Sequence, residues 1–166
     1  MDTTTSIRTA EFADLGAITD IYNEAIQTTT ATFDTEPRSE SDQLAWFNSH
    51  VGRHPILVAV TDGRVVGWVS ISRWSDRKAY DGTGEVSFYV RSDFRGRGIG
   101  RRLAQAIVDK ARQLNYHTLI ARVAAESSVS LHLSRSIGFM DVGTMKEVGR
   151  KFGRLLDVHV LQMMLD

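Results

Sequence analysis

The apolar residues of this chain recur at two different spacings, and the first of them is helical. Residues 14–27 predict an amphipathic helix, with apolar side chains at positions 15, 18, 21, 22, 25 and 26. Ser39 is a suitable N-cap for a second helix that carries Leu44, Trp46 and Phe47. Residues 99–114 and 128–137 predict two more helices.

The second spacing is that of β-strands. Two β-branched runs, residues 56–60 and 65–71, flank Asp62-Gly63 and predict a hairpin. A polar loop at residues 73–84 precedes a predicted strand at 85–90. Further strands are expected at residues 7–9, 118–123, 138–148 and 155–161. Because strands and helices are interleaved, we expect one three-layer α/β domain over residues 1–166, with a mixed, partly antiparallel sheet flanked by helices.

Composition argues against several classes of protein. The 166 residues include 20 Lys and Arg against 20 Asp and Glu, and this balance argues against a nucleic-acid or membrane partner. No cysteine is present, so a disulfide, a thiolate metal site and a Cys nucleophile are all excluded. The five histidines lack metal-ligand spacing, and no metal is expected. No apolar run suits a signal peptide or a membrane helix, so we expect a cytoplasmic protein.

A glycine-rich segment joins the strand at 85–90 to the helix at 99–114. This glycine turn reads Arg95-Gly96-Arg97-Gly98-Ile99-Gly100. Alternating glycines allow positive φ and close approach of a ligand, and the N-terminus of the following helix favours a phosphate. The spacing fits neither the dinucleotide fingerprint, which would need glycine at Arg101, nor a Walker turn. A plain strand-to-helix turn without a ligand remains open.

The segment from Tyr89-Val90 through this turn resembles the pyrophosphate-binding motif of the GCN5-related N-acetyltransferases (GNAT). The resemblance implies a largely antiparallel sheet in which two neighbouring strands splay apart, with acetyl-CoA as co-substrate bound between them. It places the thioester and pantetheine beside Phe88, Tyr89 and Val90. The phosphates would be held by Arg95, Gly96, Arg97, Gly98, Ile99, Gly100 and Arg101. Ser127 and Ser136 on the next helix complete the expected acetyl-CoA site.

Other segments resemble one branch of this family, the phosphinothricin and methionine sulfoximine or sulfone acetyltransferases. They are residues 21–23, residues 31–33, Arg77-Lys78-Ala79-Tyr80-Asp81-Gly82-Thr83-Gly84-Glu85 and residues 148–157, which contain Lys151-Phe152-Gly153-Arg154. The resemblance implies acetylation of the α-amino group of a small amino acid or analogue, by a homodimer. It assigns the acceptor pocket to Ser75, Asp76, Arg77, Glu85, Val86 and Ser87. Thr32 and Phe33 would shape that pocket, and residues 151–154 would reach it from a partner subunit.

The chemistry requires a base, because an amine attacks a thioester only in its neutral form. Glu85 is the candidate base, since it begins the strand that leads into the glycine turn. Strand alternation puts Glu85, Ser87 and Tyr89 on one face and the residues between them on the other, unless a bulge splays the strand and changes that phase. The backbone N–H of Val90 is the candidate donor to the oxyanion.

The chain departs from the branch in the helix at 128–137. Counted back from Gly138-Phe139, the family's His falls on Ser134 and its Asn falls on Ser127. A serine is too weak an acid to replace His directly, so either a water held by Ser134 protonates the thiolate or the thiolate leaves unaided. His132 is an alternative acid, although it belongs to a different helix face.

Two alternative functions stay open. The same fold could acetylate another amine, such as a peptide N-terminus, a polyamine or an aminoglycoside; a cationic acceptor would favour an acidic pocket. The chain could also be an acyl-CoA-binding module whose catalysis has decayed, for which Ser127 and Ser134 are the best evidence.

Overall fold

The computed structural model describes residues 4–166 and contains one seven-stranded sheet with four α-helices. The strands are β1 (Thr5–Thr9), β2 (Ile56–Thr61), β3 (Arg64–Arg73), β4 (Thr83–Val90), β5 (Thr118–Ala124), β6 (Met140–Lys151) and β7 (Arg154–Met164). The helices are α1 (Leu15–Thr28), α2 (Glu40–Ser49), α3 (Ile99–Gln113) and α4 (Ser128–Ser136). Every predicted element is present. The last hairpin is longer than expected, because β6 and β7 remain paired as far as Lys151 and Arg154.

The strand order is β1-β2-β3-β4-β5-β7-β6. All neighbours are antiparallel except β4 and β5, which are parallel, so the prediction of a mixed, largely antiparallel sheet is confirmed. Ser39 caps α2 by accepting the backbone N–H of Asp42, as expected of an N-cap serine. Among residues 4–166, no helix is long and apolar enough to cross a membrane.

Each face of the sheet buries apolar side chains against helices, which gives the three layers predicted. On one face α3 inserts Leu103 and Ile107 against Val69 and Leu119, all of them fully buried. The opposite face is covered by α1 and α2, where Ile18 and Ile21 pack on Val58 and Trp68. Trp46 packs partly buried against this second cluster, to which the buried Trp68 belongs.

The parallel pair β4 and β5 separates after three residues. Thr83, Gly84 and Glu85 pair with residues 118–120, and from Val86 onward β4 pairs only with β3. β5 pairs along its whole length with β7 instead. The splayed strand pair is therefore present. The register between β3 and β4 is continuous from Gly84 to Val90, so no bulge changes the phase of β4 there. The opening arises because β5 follows β7 away from β4.

Candidate active site

The glycine turn presents a row of unpaired backbone donors. Gly96 and Gly98 adopt φ of 74° and 76°, a left-handed conformation that side chains disfavour. The first backbone bond of α3 runs from Arg102 N–H to the Gly98 carbonyl. Within the described part of the chain, the N–H groups of residues 96–101 find no acceptor. Such a row at the positive end of a helix fits a pyrophosphate.

The arginines of the glycine turn are held in three different ways. Arg95 Nε donates to the Val90 carbonyl at 3.1 Å. Arg97 donates to the Asp93 carbonyl and lies 4.8 Å from the centre of the Phe94 ring. Arg101 donates to Ser136 Oγ at 3.1 Å, which joins α3 to α4. The structure thus brings together Arg101 and Ser136, two predicted cofactor residues that lie 35 positions apart.

Strand β4 divides its side chains between the two faces of the sheet as predicted. Val86 is buried in the core beneath α3, and Phe88 and Val90 pack against that core. Ser87 and Tyr89 lie on the α1 side, where Tyr89 contacts the Tyr22 and Trp68 rings. Val86 can therefore meet an acceptor only through its backbone, because its side chain belongs to the core.

The backbone of β4 alternates in the same way. Arg91 N–H donates to the Val66 carbonyl of β3 at 2.9 Å, so the N–H one residue earlier points away from β3. For Val90 that direction is the opening left by β5. This orientation is the one required of Val90 N–H as an oxyanion donor.

Glu85 stands at the point where the two strands separate. Its carboxylate forms a two-pronged ion pair with Arg122 of β5: Oε1 accepts from Nη2 at 2.8 Å, and Oε2 accepts from Nε. The hydrogen bonds that Arg122 donates to Glu85 raise the pKa of Arg122, and the guanidinium also lies 5.7 Å from the Trp74 ring centre. Arg122 was not among the predicted site residues. Its sequence signal is a lone charge within the otherwise uncharged strand Thr-Leu-Ile-Ala-Arg-Val-Ala.

Helix α4 buries Ser134 and exposes His132. Ser134 is 3% exposed, and its hydroxyl makes no hydrogen bond to another described residue. His132 lies on the exposed side of the helix, as the two-residue offset predicted, and this position weakens it as a proton donor. Ser127 occupies the N-cap position without a side-chain capping bond, so its hydroxyl is available to a ligand.

The predicted acceptor loop at residues 75–77 lies on the surface. The Asp76 side chain is fully exposed and pairs with Arg73 at 3.7 Å. Ser75 Oγ accepts the backbone N–H of Arg77 at 3.3 Å, and Arg77 is exposed just before a short 3₁₀ turn at Lys78–Tyr80. These three residues do not line the small cavity next to Ser87.

That cavity, which we call the Trp68 cavity, has a volume of about 80 Å³. Its lining residues are Tyr22, Arg38, Gln43, Trp46, Trp68, Ser70, Ser72, Ser87 and Tyr89. Ser87 alone was predicted as a substrate residue. Tyr89, also of β4, was predicted for the co-substrate, and the others come from α1, α2, β3 and the loop between the two helices. A larger open groove of about 470 Å³ lies between α1 and residues 91–93. None of its lining residues belongs to the predicted site, although residues 91–93 lie shortly before the glycine turn.

A loop at residues 29–38 contributes Arg38 to the lining of the Trp68 cavity, and α1 holds this loop in place. The Tyr22 hydroxyl bonds to the Asp34 carboxylate and lies 3.0 Å from Thr32 Oγ1. Asp34 also receives Nε and Nη2 of Arg38, at 3.1 and 2.9 Å. The Asn23 side chain clasps the backbone N–H and carbonyl of Arg38. The resemblance at residues 21–23 and 31–33 therefore maps onto one physical unit.

The turn between β6 and β7 fixes the other end of this loop. Lys151 is 4% exposed, and its ammonium donates to the Thr29 and Thr32 carbonyls, both at 2.8 Å. The Phe33 ring lies directly over Gly149, where any Cβ would collide with it. The expectation that this segment reaches the pocket from a partner subunit is wrong for Lys151, because its ammonium is bound within its own chain.

Arg154 is also bound within its own chain. It pairs with Glu126 at 2.8 and 3.1 Å, and Glu126 accepts the hydroxyl of buried Thr30 at 2.6 Å. The Arg154 and Thr30 hydrogen bonds lower the pKa of Glu126 to about 2. Glu126 therefore remains charged at neutral pH and links β7 to the 29–38 loop.

The chain is similar to known acetyltransferases over nearly its whole length. The acetyltransferase (GNAT) family model matches residues 18–139. The L-methionine sulfoximine/L-methionine sulfone acetyltransferase of Pseudomonas paraeruginosa is 40% identical, over 97% of this chain and 95% of that protein. The L-amino acid N-acyltransferase MnaT of Escherichia coli is 37% identical, over 97% of this chain and 94% of that protein.

A solved structure shows the same architecture with the co-substrate bound. The GNAT superfamily phosphinothricin acetyltransferase of Sinorhizobium meliloti, in complex with acetyl-CoA, superposes with a TM-score of 0.94 at 35% identity. The match covers 98% of this chain and 89% of that one. With the splayed strands and the unpaired N–H row of the glycine turn, these likenesses show that the chain belongs to the GNAT family of acetyltransferases and uses acetyl-CoA as its co-substrate.

Proposed function

We propose that this enzyme acetylates the α-amino group of a small amino acid or analogue by direct transfer from acetyl-CoA. Phosphinothricin, methionine sulfoximine and methionine sulfone are the leading acceptors, since the similar enzymes are named for them. The observation that carries the proposal is the position of Glu85. It stands where β4 leaves β5, two residues before Ser87 and opposite Ser72, both of which line the Trp68 cavity.

The acetyl donor is proposed to bind along the opening between β4 and β5. The N–H groups of residues 96–101 would receive the pyrophosphate, with the guanidinium groups of Arg95, Arg97 and Arg101 adding charge. The side chain of Phe88 and the backbone of Tyr89 and Val90 would flank the thioester and pantetheine. Ser127 and Ser136 would bind from α4. The acetyl-CoA thioester supplies an activated acyl group.

Glu85 is proposed to accept the proton of the acceptor's ammonium, which frees the lone pair for attack on the thioester carbonyl. The N–H of Val90 would donate to the oxygen that becomes negative during attack. The C–S bond then breaks, CoA departs as a thiolate, and the attacking nitrogen loses its second proton to solvent to give the neutral amide. The thiolate gains a proton from a water held by Ser134 or from solvent. The transfer is direct, because the amine attacks the thioester itself and the sequence offers no cysteine nucleophile for an acyl-enzyme.

The proposal is tested by measuring CoA release with a panel of amino acids. Turnover is expected with at least one of phosphinothricin, methionine sulfoximine and methionine sulfone. No turnover with any of the three at millimolar concentration would contradict the proposed acceptor class. The alternative of a decayed acyl-CoA-binding module rests on Ser127 and Ser134, which stand where the resemblance would place Asn and His. Calorimetric binding of acetyl-CoA without turnover on any amine would favour that alternative.

We also propose that the enzyme is a cytoplasmic homodimer. Strand β6 is an edge strand with one hydrogen-bonded neighbour. Its exposed apolar side chains include Met140, Val142 and Val148, and such a surface suits a second copy of the chain. A cytoplasmic location would give the enzyme access to its co-substrate, acetyl-CoA. Sedimentation equilibrium at twice the chain's mass is expected, and a monomer at micromolar concentration would contradict the dimer.

A further inference from the structure

Several polar side chains that line the Trp68 cavity lack hydrogen-bond partners. The indole N–H of Trp68 is buried and finds no acceptor in the described structure. Gln43 is 3% exposed and Ser70 is 1% exposed, and neither side chain bonds to another described residue. Buried polar groups are nearly always paired, so the buried and unpaired Trp68 N–H, beside two side chains that have no protein partner, indicates a place built to receive a polar ligand.

The position of the cavity connects it with the reaction. In the β3–β4 ladder, Trp68 faces Tyr89, Ser70 faces Ser87 and Ser72 faces Glu85. Cross-strand partners share a face of the sheet, so the cavity and Glu85 lie on the same face. Ser87, which lines the cavity, is two residues from Glu85, a separation of about 7 Å along a strand. An amino acid whose amine meets Glu85 can therefore direct its side chain toward Trp68.

The chemistry of the lining specifies what the cavity would bind. An indole N–H is only a donor, and it requires an oxygen or nitrogen acceptor. Arg38 also lines the cavity, and its Nη1 forms no hydrogen bond in the described structure, since Nε and Nη2 are the atoms that bind Asp34. The described lining residues include no Asp or Glu. A cationic side chain would find no counter-ion among them.

The volume agrees with this chemistry. A volume of about 80 Å³ holds roughly two or three water molecules. The cavity therefore accommodates a small terminal group of the acceptor but not a peptide or an aminoglycoside ring. We propose that the Trp68 cavity is the side-chain subsite of the acceptor, in which the indole N–H of Trp68 donates to an oxygen of a tetrahedral sulfonyl, sulfoximine or phosphinyl group. This inference rests on the proposed amino-acid acetyltransferase function and identifies the residues that select the acceptor.

The test compares two acceptors that differ only in the oxygens. Methionine sulfone carries the acceptor oxygens, and methionine has the same chain without them. Replacing Trp68 with phenylalanine removes the N–H while keeping an aromatic ring. We expect Trp68→Phe to lower kcat/KM for methionine sulfone by about tenfold and to change kcat/KM for methionine by less than about twofold. Gln43→Met removes the side-chain amide and keeps a side chain of similar length. It should likewise lower kcat/KM for methionine sulfone relative to kcat/KM for methionine.

An equal loss on both acceptors would overturn the subsite, because it would show a general structural effect of the substitution. A direct readout separates this result from a failure of the proposed function. In protein labelled with ¹⁵N-tryptophan, the indole resonance that is absent in Trp68→Phe should move downfield on addition of methionine sulfone, with or without turnover. Turnover of methionine sulfone without movement of that resonance would also overturn the subsite. Movement of the resonance without turnover would support the subsite and contradict the proposed function.

Discussion

Glu85 and Arg122 form an ion pair across the point at which β4 and β5 separate. The Glu85 side chain is 17% exposed and that of Arg122 is 52% exposed, so the carboxylate is fixed by a partner that can still move toward solvent. In the structure both Glu85 oxygens accept hydrogen bonds from Arg122. An acceptor amine must therefore approach the carboxylate beside the guanidinium or displace it. Two predictions follow from this geometry.

The first concerns the carboxylate. Glu85→Gln keeps the shape of the side chain but removes its basicity, and kcat should fall by about a hundredfold or more. The loss should be greatest at low pH, where the acceptor amine is protonated, and should diminish above about pH 8. The measurement is kcat from pH 6 to 9.5, with acetyl-CoA affinity as a control. A pH profile parallel to that of the wild type would exclude Glu85 as the base.

The second concerns the guanidinium, which acts through Glu85. Arg122→Met should lower kcat by about tenfold, because the carboxylate loses its fixed orientation. In the Glu85→Gln background, Arg122→Met should lower kcat almost no further, since the effects of residues in contact are not additive. A double-mutant cycle on kcat measures this coupling. Independent, multiplicative losses would show that Arg122 does not position Glu85.

Acetyl-CoA binding should depend on the left-handed backbone at Gly98. Gly98→Ala places a side chain at φ 76°, which costs about 1–2 kcal/mol and distorts the donor row. We expect acetyl-CoA affinity to fall by about tenfold in a calorimetric titration. Gly16→Ala is the matched control: Gly16 lies in α1, and a Cβ there meets nothing within 4 Å. Unchanged affinity in Gly98→Ala would remove this turn from the acetyl-CoA site.

The 29–38 loop should depend on Lys151. Lys151→Met leaves the Thr29 and Thr32 carbonyls without their donor, at a cost of about 1–3 kcal/mol in the free energy of unfolding. Because the loop packs on Tyr22 at the Trp68 cavity, KM for the acceptor should rise more than the Kd for acetyl-CoA. Lys146→Met is the control, since the Lys146 side chain is 77% exposed. Equal losses of unfolding free energy in the two variants would show that the Lys151 hydrogen bonds to Thr29 and Thr32 do not stabilise the loop.

Stability should also depend on pH through His50. Its Nδ1 lies 2.7 Å from the Trp46 carbonyl and its Nε2 lies 3.0 Å from Ser72 Oγ, so the neutral ring donates through the first nitrogen and accepts through the second. Burial lowers the pKa of His50 below its ordinary value of 6.5. Below about pH 6.5 the unfolded chain therefore binds more protons than the folded one, and the folded state loses stability as the pH falls.

Urea unfolding between pH 5 and 8 measures this effect. His50→Gln should flatten the decline below pH 6.5, although His54, whose pKa is lowered mainly by burial, leaves part of it. His132→Gln, at an exposed position, should leave the decline intact. If His50→Gln and the wild type lose stability in parallel, the buried neutral His50 is not responsible.

Prediction from the sequence succeeded where the governing interactions are local. The period of two along β4 correctly divided Ser87 and Tyr89 from Val86 and Phe88, because alternation is a property of any strand. The two-residue offset correctly separated the exposed His132 from the buried Ser134, because helix faces follow from spacing alone. The glycine turn was predicted for the same reason, as left-handed backbone is a property of Gly96 and Gly98 themselves.

Prediction was incomplete where contacts join distant segments. Arg122 meets Glu85 across 37 positions, and Lys151 meets Thr29 across 122. Neither pairing has a periodic signal. The cause of the splay was left open for a related reason: β5 leaves β4 because it pairs with β7, and pairing between strands distant in sequence depends on the whole sheet.

The sequence by itself determined the order of helices and strands, the conformation of the glycine turn and the side of β4 on which Glu85 lies, since each depends on residues within a few positions of one another. The tertiary structure alone decided that Tyr22, Arg38, Gln43 and Trp68 enclose one cavity, and that residues 75–77 remain outside it. The physical reason is that the cavity forms only where α1, α2 and β3 pack against one another. The Trp68 N–H is buried without a partner because of that packing, which involves segments far apart in the sequence.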